Sequence, residues 1–416
     1  MVSEKHSEFS SWRRALSNRR VYLETYGCRF NFGDTAKLIE VLKASGSTIV
    51  ESPDTADAVI INTCTVVGPT ERRMLRRISA FRDRDLFVTG CMPAVQKEAI
   101  YAISQPTIVS PEEIRDEYRK TGSVQGGPPG IVQIASGCTG KCSYCITRKA
   151  RGPLISYPEE EILDQVQAFF DAGTAEVQMT AQDVSAWGKD CGRSLSELLE
   201  SVGKLRGRGR VRVGMMNPFT VKDQLDLILE SFRSPVFFRF IHIPVQSGSD
   251  KILTSMKRGY TLADFEKIVA GFRSRYPGIS LSTDVIVGYP GETLGDFQDT
   301  CNLIERIRPN KVNITRYSHR PHTGRIPGPE ILDAVKKDRS RMLNALAENI
   351  YASINGPLVG TEVPVIVTEY LRDGSVMART PEYHGVVLRE DLPIGFEGRA
   401  VLKRDRKYFF IGERSG

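Results

Sequence analysis

Three cysteines fall in the run Cys138-Thr-Gly-Lys-Cys142-Ser-Tyr-Cys145, a Cys-x3-Cys-x2-Cys spacing just after the apolar stretch Ile131-Val-Gln-Ile-Ala135. Three thiolates on one short loop can hold three corners of a cubic 4Fe-4S cluster, leaving the fourth iron without a protein ligand. An open iron is not needed for structure; it serves to bind a substrate or a second cofactor. Structural zinc sites pair their ligands two by two and close the tetrahedron, unlike this run. A zinc loop, or reduced thiols packed in a core, is the competing interpretation. A second set of three is dispersed. Cys28, Cys64 and Cys91 each come just after an apolar segment, in Glu24-Thr-Tyr-Gly-Cys28, Ile61-Asn-Thr-Cys64 and Val88-Thr-Gly-Cys91. If those segments are strands of one parallel sheet, their ends share an edge and the thiols can converge as a second cluster site, with three separately buried thiols as the alternative. Gly27 and Gly90 permit the tight turns that aim Cys28 and Cys91. Cys191 and Cys301 have no such context and read as structural or incidental.

The elements that must position these residues follow from periodicity. Residues 21–123 alternate strand and helix: strands at Val21–Tyr26, Ala58–Asn62 and Leu86–Thr89, and helices at Asp34–Ala44 and Thr70–Phe81. This predicts a small α/β domain with a mainly parallel sheet. The Gly- and Pro-rich stretch Thr121–Gly130 reads as a linker. Residues 131–325 carry six strand candidates, Ile131–Ala135, Glu176–Thr180, Val211–Met216, Phe238–Pro244, Leu281–Val287 and Val312–Tyr317. Helices are predicted between them at Glu159–Ala172, Ser194–Leu205, Val221–Ser231, Leu262–Arg275 and Leu294–Ile307. Six units are too few for an eight-fold barrel and predict an open (β/α)6 partial barrel with the Cys138 loop at the C-terminal strand ends. Pro327–Asn355 reads as a charged connecting helix. Five short strand candidates then follow, Val363–Glu369, Ser375–Arg379, Gly385–Leu388, Gly398–Lys403 and Tyr408–Gly412, which predict a small OB-like β-barrel. The expected division is an extension at 1–20, an α/β domain at 21–123, a core with its connecting helix at 131–352 and a terminal barrel at 353–416.

Composition bounds the function. The chain has 416 residues, 40% hydrophobic and 26% charged, enough for two or three globular domains. Its net charge of +7 leans toward an anionic partner such as RNA. Eight cysteines in a chain this long do not make a disulfide scaffold and point to a reducing cytosol and metal. No apolar run reaches the ~18–20 residues of a membrane span. Met1–Arg20 lacks an apolar signal core and reads as a flexible or loosely helical basic extension, or as an arm touching RNA. The expected location is cytoplasmic.

Cys-x3-Cys-x-aromatic-Cys after a first strand, with Tyr144 as the aromatic residue, resembles the radical S-adenosylmethionine (SAM) superfamily. Glu24-Thr-Tyr-Gly-Cys-Arg-Phe-Asn31, Ile61-Asn-Thr-Cys-Thr-Val66 and Gly90-Cys-Met-Pro93 resemble the N-terminal domain of the methylthiotransferases. Gly137-Cys138 through Ala150-Arg-Gly152, His242–Ser249, Met256–Tyr260 and Asp284–Thr293 resemble their radical SAM core, and the last ~60 residues their TRAM domain. Thr63–Glu71 and Ala150–Tyr157 look most like the archaeal and eukaryotic branch, which acts on N(6)-threonylcarbamoyladenosine beside the tRNA anticodon. The chain departs from the family pattern at Arg29 and at His319 and His322 within Ser318–Thr323.

The resemblance implies two 4Fe-4S clusters and SAM as cofactors. The cluster on Cys138, Cys142 and Cys145 would bind SAM, and an electron would cleave it to a 5′-deoxyadenosyl radical that takes the hydrogen from carbon 2 of the adenine. That carbon is not acidic and carries no leaving group, so side-chain acid–base chemistry alone does not functionalise it. The cluster on Cys28, Cys64 and Cys91 would carry the sulfur, and a further SAM would supply the methyl. Tyr144, Gln182, Asp183, Gln246, Ser247 and Gly288 are the implied SAM-pocket residues, and Arg258 is a candidate for a carboxylate or phosphate. The implied partners are a tRNA anticodon stem-loop, a reducing electron donor and a sulfur source. Two basic stripes, Arg72/Arg73/Arg76/Arg77 and Lys403/Arg404/Arg406/Lys407, are candidates for RNA or simply solvated faces. The rival functions are methylthiolation of another tRNA adenosine or of a ribosomal-protein side chain, and a non-catalytic RNA-binding iron–sulfur sensor.

Overall fold

The computed structural model describes residues 9–66, 68–121, 130–324 and 326–415. The chain divides into two compact units. One takes Met1–Gln125, Cys145–Gly152 and His319–Thr323, and the other Gly126–Tyr144, Pro153–Ser318 and Gly324–Gly416. Residues 122–129 of the expected linker lie outside the described residues.

In the first unit, strands β1 (Arg20–Thr25), β2 (Thr48–Val50), β3 (Ala58–Thr63), β4 (Leu86–Gly90) and β5 (Thr107–Ile108) form one sheet in the order β2-β1-β3-β4-β5. Every pairing is parallel. Each residue of β3 and β4 is buried, as expected of central strands covered on both faces. The two short edge strands have too few residues to show a period and were not predicted.

Of the extension expected at 1–20 as flexible or loosely helical, the described part holds a helix packed into the core. Residues 1–8 lie outside the described residues, but Ser11–Leu16 is a helix, and Trp12 and Leu16 pack into the core with Val21, Leu38 and Phe87. The two share a helical face at i and i+4, a signal that the basic composition obscures. Nor are the arginines a free arm. Arg13 is buried and pairs with Glu117 at 2.9 Å, Arg19 pairs with Asp85 at 2.5 Å, and Arg20 with Asp57 at 2.7 Å.

The second unit holds the six expected strands: β6 (Gly130–Gln133), then β9 (Glu176–Thr180), β10 (Arg210–Val213), β11 (Phe240–His242), β12 (Ser280–Val287) and β13 (Lys311–Arg316), with a two-stranded ribbon of β7 (Ala135–Ser136) and β8 (Ile155–Ser156) after the first. The strands pair in parallel as β10-β9-β6 and β11-β12-β13. Parallel bridges Val211–Phe237 and Met215–His242 join the halves into an open six-fold barrel. The β7–β8 ribbon pairs Ala135 with Ser156 and Ser136 with Ile155, closing the base of the excursion that carries the Cys138 loop. Reciprocal capping boxes start the helices after Ser194, Thr261 and Thr293. The helix predicted at Val221–Ser231 is instead Pro218–Val221 and Leu225–Ser231 with a 3-10 turn between, because Gln224 leaves the helical region (φ −132°, ψ 21°).

The long helix Asp333–Asn355 leads to β14 (Glu362–Tyr370), β15 (Val376–Arg379), β16 (Gly385–Leu388), β17 (Glu397–Asp405) and β18 (Phe409–Arg414). They close a five-stranded barrel in the order β14-β15-β16-β18-β17. It belongs to the same compact unit as the six-fold barrel. Tyr383 inserts its ring edge-on to Phe238, 4.9 Å between centroids, and its hydroxyl donates to Glu176.

Candidate cysteine centres

In the first unit, β1, β3 and β4 are adjacent, and Cys28, Cys64 and Cys91 follow their C-terminal ends. Cys28 is exposed at the start of helix Arg29–Ala44, while Cys64 and Cys91 are buried, and all three are free thiols. Two glycines bring the ends together. A Cβ on Gly27 would stand 2.8 Å from Cys64 Cβ and 3.0 Å from its Sγ. Gly90 has φ +91°, and a Cβ there would stand 2.3 Å from Thr63 O. Gly90→Ala therefore forces the backbone apart where two strand ends meet. It is expected to cost roughly 1–3 kcal/mol of stability, read from the midpoint of denaturant unfolding.

A buried polar lattice fixes the loops. Asn31 Nδ2 donates to Tyr26 O at 2.9 Å and to Thr63 O at 2.8 Å. Asn62 Nδ2 donates to Asn31 O at 2.7 Å and Thr35 Oγ1 at 2.9 Å. Arg151 Nε donates to Cys91 Sγ at 3.3 Å, and its Nη2 donates to Asn31 Oδ1 and Asp34 Oδ2, each at 2.7 Å. Burial pushes the Cys91 thiol up to about 11 against the pull of Arg151, and the charges of Cys28 and Cys64 add to the rise. Burial likewise raises Cys64, with Cys28 contributing. Burial opposes the charge of Arg151, yet Asp34 and Cys91 hold its pKa above the ordinary value. All three thiols follow the ends of adjacent strands. Among the described residues, however, no group of three or more His, Cys, Asp or Glu side chains is drawn into a metal-holding set. The donor chemistry fits a thiolate-bound iron cluster: three free sulfurs from neighbouring strand ends, with the Arg151 guanidinium donating to one of them, Cys91.

The Cys138 run is shared between the units. Cys138 and Cys142 belong to the second, and Cys145 opens the segment Cys145–Gly152 of the first. Gly140 N–H donates to Cys138 Sγ at 3.2 Å, and a Cβ on Gly140 would stand 3.2 Å from that sulfur and 3.7 Å from Cys142 Sγ. Arg258 is buried, with Nη1 3.1 Å from Cys142 Sγ and 3.3 Å from Tyr144 Oη, Nη2 3.1 Å from Asn217 Oδ1, and Nε 3.3 Å from Tyr260 Oη. Burial opposes its charge as well, but Tyr144, Tyr260 and Cys142 hold its pKa well above the ordinary value. Backbone and guanidinium donors on the sulfurs again fit a cluster.

The expected SAM-pocket residues separate into distinct roles. Tyr144 is half-buried, edge-on to Tyr289 with centroids 6.4 Å apart. Gln182 Oε1 is buried with no hydrogen-bond partner among the described residues. The Asp183 carboxylate is occupied by the protein. It accepts from Ser185 Oγ at 2.7 Å, Thr220 Oγ1 at 2.8 Å and Asn217 N at 3.1 Å, and burial raises its pKa. Gln246 is held at φ +71° between Asp284 O and Ile286 N. Ser247 is fully buried and its Oγ accepts from Ser249 N at 3.3 Å. Gly288 has φ +72°, and a Cβ there would meet Lys336 Cγ at 2.3 Å, so the close approach it allows is to that lysine.

Sequence reasoning gave no role to Arg151, Asn31 or Asp34, which meet only in the fold. It also missed a chain across β11, β12 and β13: Asp284 accepts from His242 Nε2 at 2.9 Å and from Asn313 Nδ2 at 2.7 Å. No local pattern marks that chain in the sequence, because β12 and β13 each carry several other polar residues.

A profile of the Radical SAM superfamily matches residues 132–304, and one of Uncharacterized protein family UPF0004 matches residues 20–110. The chain is 38% identical to a probable threonylcarbamoyladenosine tRNA methylthiotransferase of Methanothermobacter thermautotrophicus, across 93% of this chain and 97% of that protein. It is 36% identical to the protein of that name from Pyrococcus horikoshii, across 95% and 99%. It is 30% identical to a threonylcarbamoyladenosine tRNA methylthiotransferase of Homo sapiens, across 95% and 74%. Among solved structures, a radical S-adenosylmethionine methyltransferase from Kitasatospora setae superposes with a TM-score of 0.51 at 14% identity, across 71% of this chain and 73% of that one, a likeness of fold.

Proposed function

The chain belongs to the threonylcarbamoyladenosine tRNA methylthiotransferase family, and from that premise we propose that it converts N(6)-threonylcarbamoyladenosine at position 37 of tRNA to its 2-methylthio derivative. The observation that carries this reading is the gathering of Cys28, Cys64 and Cys91 at three adjacent strand ends, in a chain that also has the Cys138-x3-Cys-x2-Cys run. Cys138, Cys142 and Cys145 would hold one 4Fe-4S cluster and Cys28, Cys64 and Cys91 a second. Bound clusters and SAM supply the one-electron chemistry, the sulfur and the methyl group that an unactivated ring carbon requires.

The protein's own groups prepare that chemistry. Gly140 N–H and Arg258 direct donors at the Cys138 and Cys142 sulfurs. Gln182 Oε1 is free to accept from the SAM amino group, whereas Asp183 acts by fixing the Asn217 turn that in turn holds Arg258. Tyr144, Gln246, Ser247 and Gly288 shape the same strand edge. In the second centre Cys28 is the exposed member, and it gives the incoming base its approach. For tRNA, Arg72, Arg73 and Arg76 have no carboxylate partner among the described residues, whereas Arg77 is paired with Glu24. In the terminal barrel Lys403 pairs with Glu413 and Lys407 with Glu348, so Arg404 and Arg406 carry that stripe. An electron donor and a sulfur source complete the system. No described helix is long and apolar enough to cross a membrane.

Mass spectrometry of tRNA nucleosides from a strain lacking the gene tests the proposal. Loss of 2-methylthio-N(6)-threonylcarbamoyladenosine with accumulation of its unmodified precursor is expected. Its persistence would refute the reading and favour the ribosomal-protein or sensor alternatives.

A further inference from the structure

Cys91 has a partner that the reading above does not use. Arg151 closes the short helix Thr147–Arg151, and its side chain is 1% exposed. Nε–H donates to Cys91 Sγ at 3.3 Å. The rest of the guanidinium is clamped: Nη2 by Asn31 Oδ1 and Asp34 Oδ2 at 2.7 Å each, and its face by the Phe30 ring, 4.8 Å from the centroid. Asn31 is itself bonded to Tyr26 O and Thr63 O. The cation is therefore anchored to the loops that present Cys28, Cys64 and Cys91. A salt bridge to Asp34 alone would satisfy an arginine brought here for packing, and burying a guanidinium is costly even when it is paired. This one also leaves Nη1 buried with no partner among the described residues. A cation kept at that cost, with a donor on a sulfur, calls for a role at the sulfur.

We propose that Arg151 is a positioning residue of the second centre, which by its Nε–H···Sγ bond to Cys91 raises the reduction potential of the cluster held there. The inference rests on the reading that Cys28, Cys64 and Cys91 bind a cluster. Its sign follows from charge. Reduction adds an electron to an already anionic thiolate cluster, and a fixed cation with a donor on a ligand sulfur stabilises the reduced state more than the oxidised one. Removing Arg151 lowers the potential.

The full chain carrying Cys138→Ala, Cys142→Ala and Cys145→Ala, reconstituted with iron and sulfide, isolates the second centre. Its midpoint potential is read by electron paramagnetic resonance during titration with dithionite. Arg151→Gln is expected to lower the reduced-to-oxidised ratio at a fixed potential about tenfold, which is about 59 mV for one electron. Arg151→Lys is expected to recover part of the shift, because it restores charge without the planar fork. Arg151→Gln/Asp34→Asn also removes the carboxylate that pairs with Arg151, and the lowered midpoint is expected to remain. Bound iron with a midpoint that does not move in this double variant would overturn the inference alone. Absence of iron from the Cys138 triad variant itself would overturn the second-cluster reading, and the inference with it.

Discussion

Replacing Cys138, Cys142 and Cys145 together by alanine is expected to reduce cleavage of SAM to 5′-deoxyadenosine to background, while about half of the reconstituted iron remains bound. The split follows from where the two sets of sulfurs sit. Cys28, Cys64 and Cys91 depend on β1, β3 and β4 and on the Asn31–Asn62 lattice, none of which involves the Cys138 run. The fold around the deleted thiols also has other supports. Arg258 loses Cys142 but keeps Asn217 and Tyr260, and Ser143 N still donates to Met256 O at 3.1 Å. Removing one acceptor from a buried cation costs on the order of 1–3 kcal/mol, which a unit of this size tolerates. Chromatography of 5′-deoxyadenosine from the dithionite-reduced protein, beside an iron analysis of the same sample, makes the test. SAM cleavage persisting in the triple variant would remove the first cluster from Cys138, Cys142 and Cys145.

What could be read from the sequence was whatever depends on local period or on spacing. β3 shows as a continuous apolar run because both its faces are covered, and even the three-residue β11 shows because it lies within the longer, mostly apolar run Phe238–Pro244. That Cys28, Cys64 and Cys91 follow the C-terminal ends of three adjacent strands was legible for a topological reason: parallel strands put those ends on one edge of the sheet. Arg151 was not legible. It lies 60 residues from Cys91 in sequence and meets it through a helix of five residues with no amphipathic period to reveal its inward face. Asp183 shows the opposite error. A carboxylate after a barrel strand reads as a ligand group, but Ser185, Thr220 and Asn217, up to 37 residues away, use up its oxygens. Trp12 and Leu16 were hidden by the charge of their neighbours, since net composition over twenty residues averages away a two-residue apolar face.

Cys28→Ala is expected to remove methylthiolated product while leaving SAM cleavage and stability nearly intact. It is a cleaner probe of the second centre than Cys64 or Cys91. Both of those are buried, and loss of Cys91 strips an acceptor from the clamped Arg151, adding roughly 1–3 kcal/mol of destabilisation that would cloud any loss of activity. Cys28 is exposed, and the turn that carries it is held by backbone: Phe32 N donates to Cys28 O at 3.3 Å and Tyr26 N to Asn62 O at 3.0 Å. Trimming its thiol disturbs neither bond, so unfolding midpoints should stay within about 0.5 kcal/mol of the unaltered protein. If the three thiols act as one cluster site, loss of the exposed corner suffices to stop sulfur delivery. The Cys138 centre, with its own sulfur donors from Gly140 and Arg258, continues to turn over SAM without a productive acceptor. Paired assays on one preparation separate these outcomes: 5′-deoxyadenosine at the unaltered level with no 2-methylthio nucleoside is the expected pattern. Full product from Cys28→Ala would mean that Cys64 and Cys91 work without it, and the three-ligand centre would have to be abandoned.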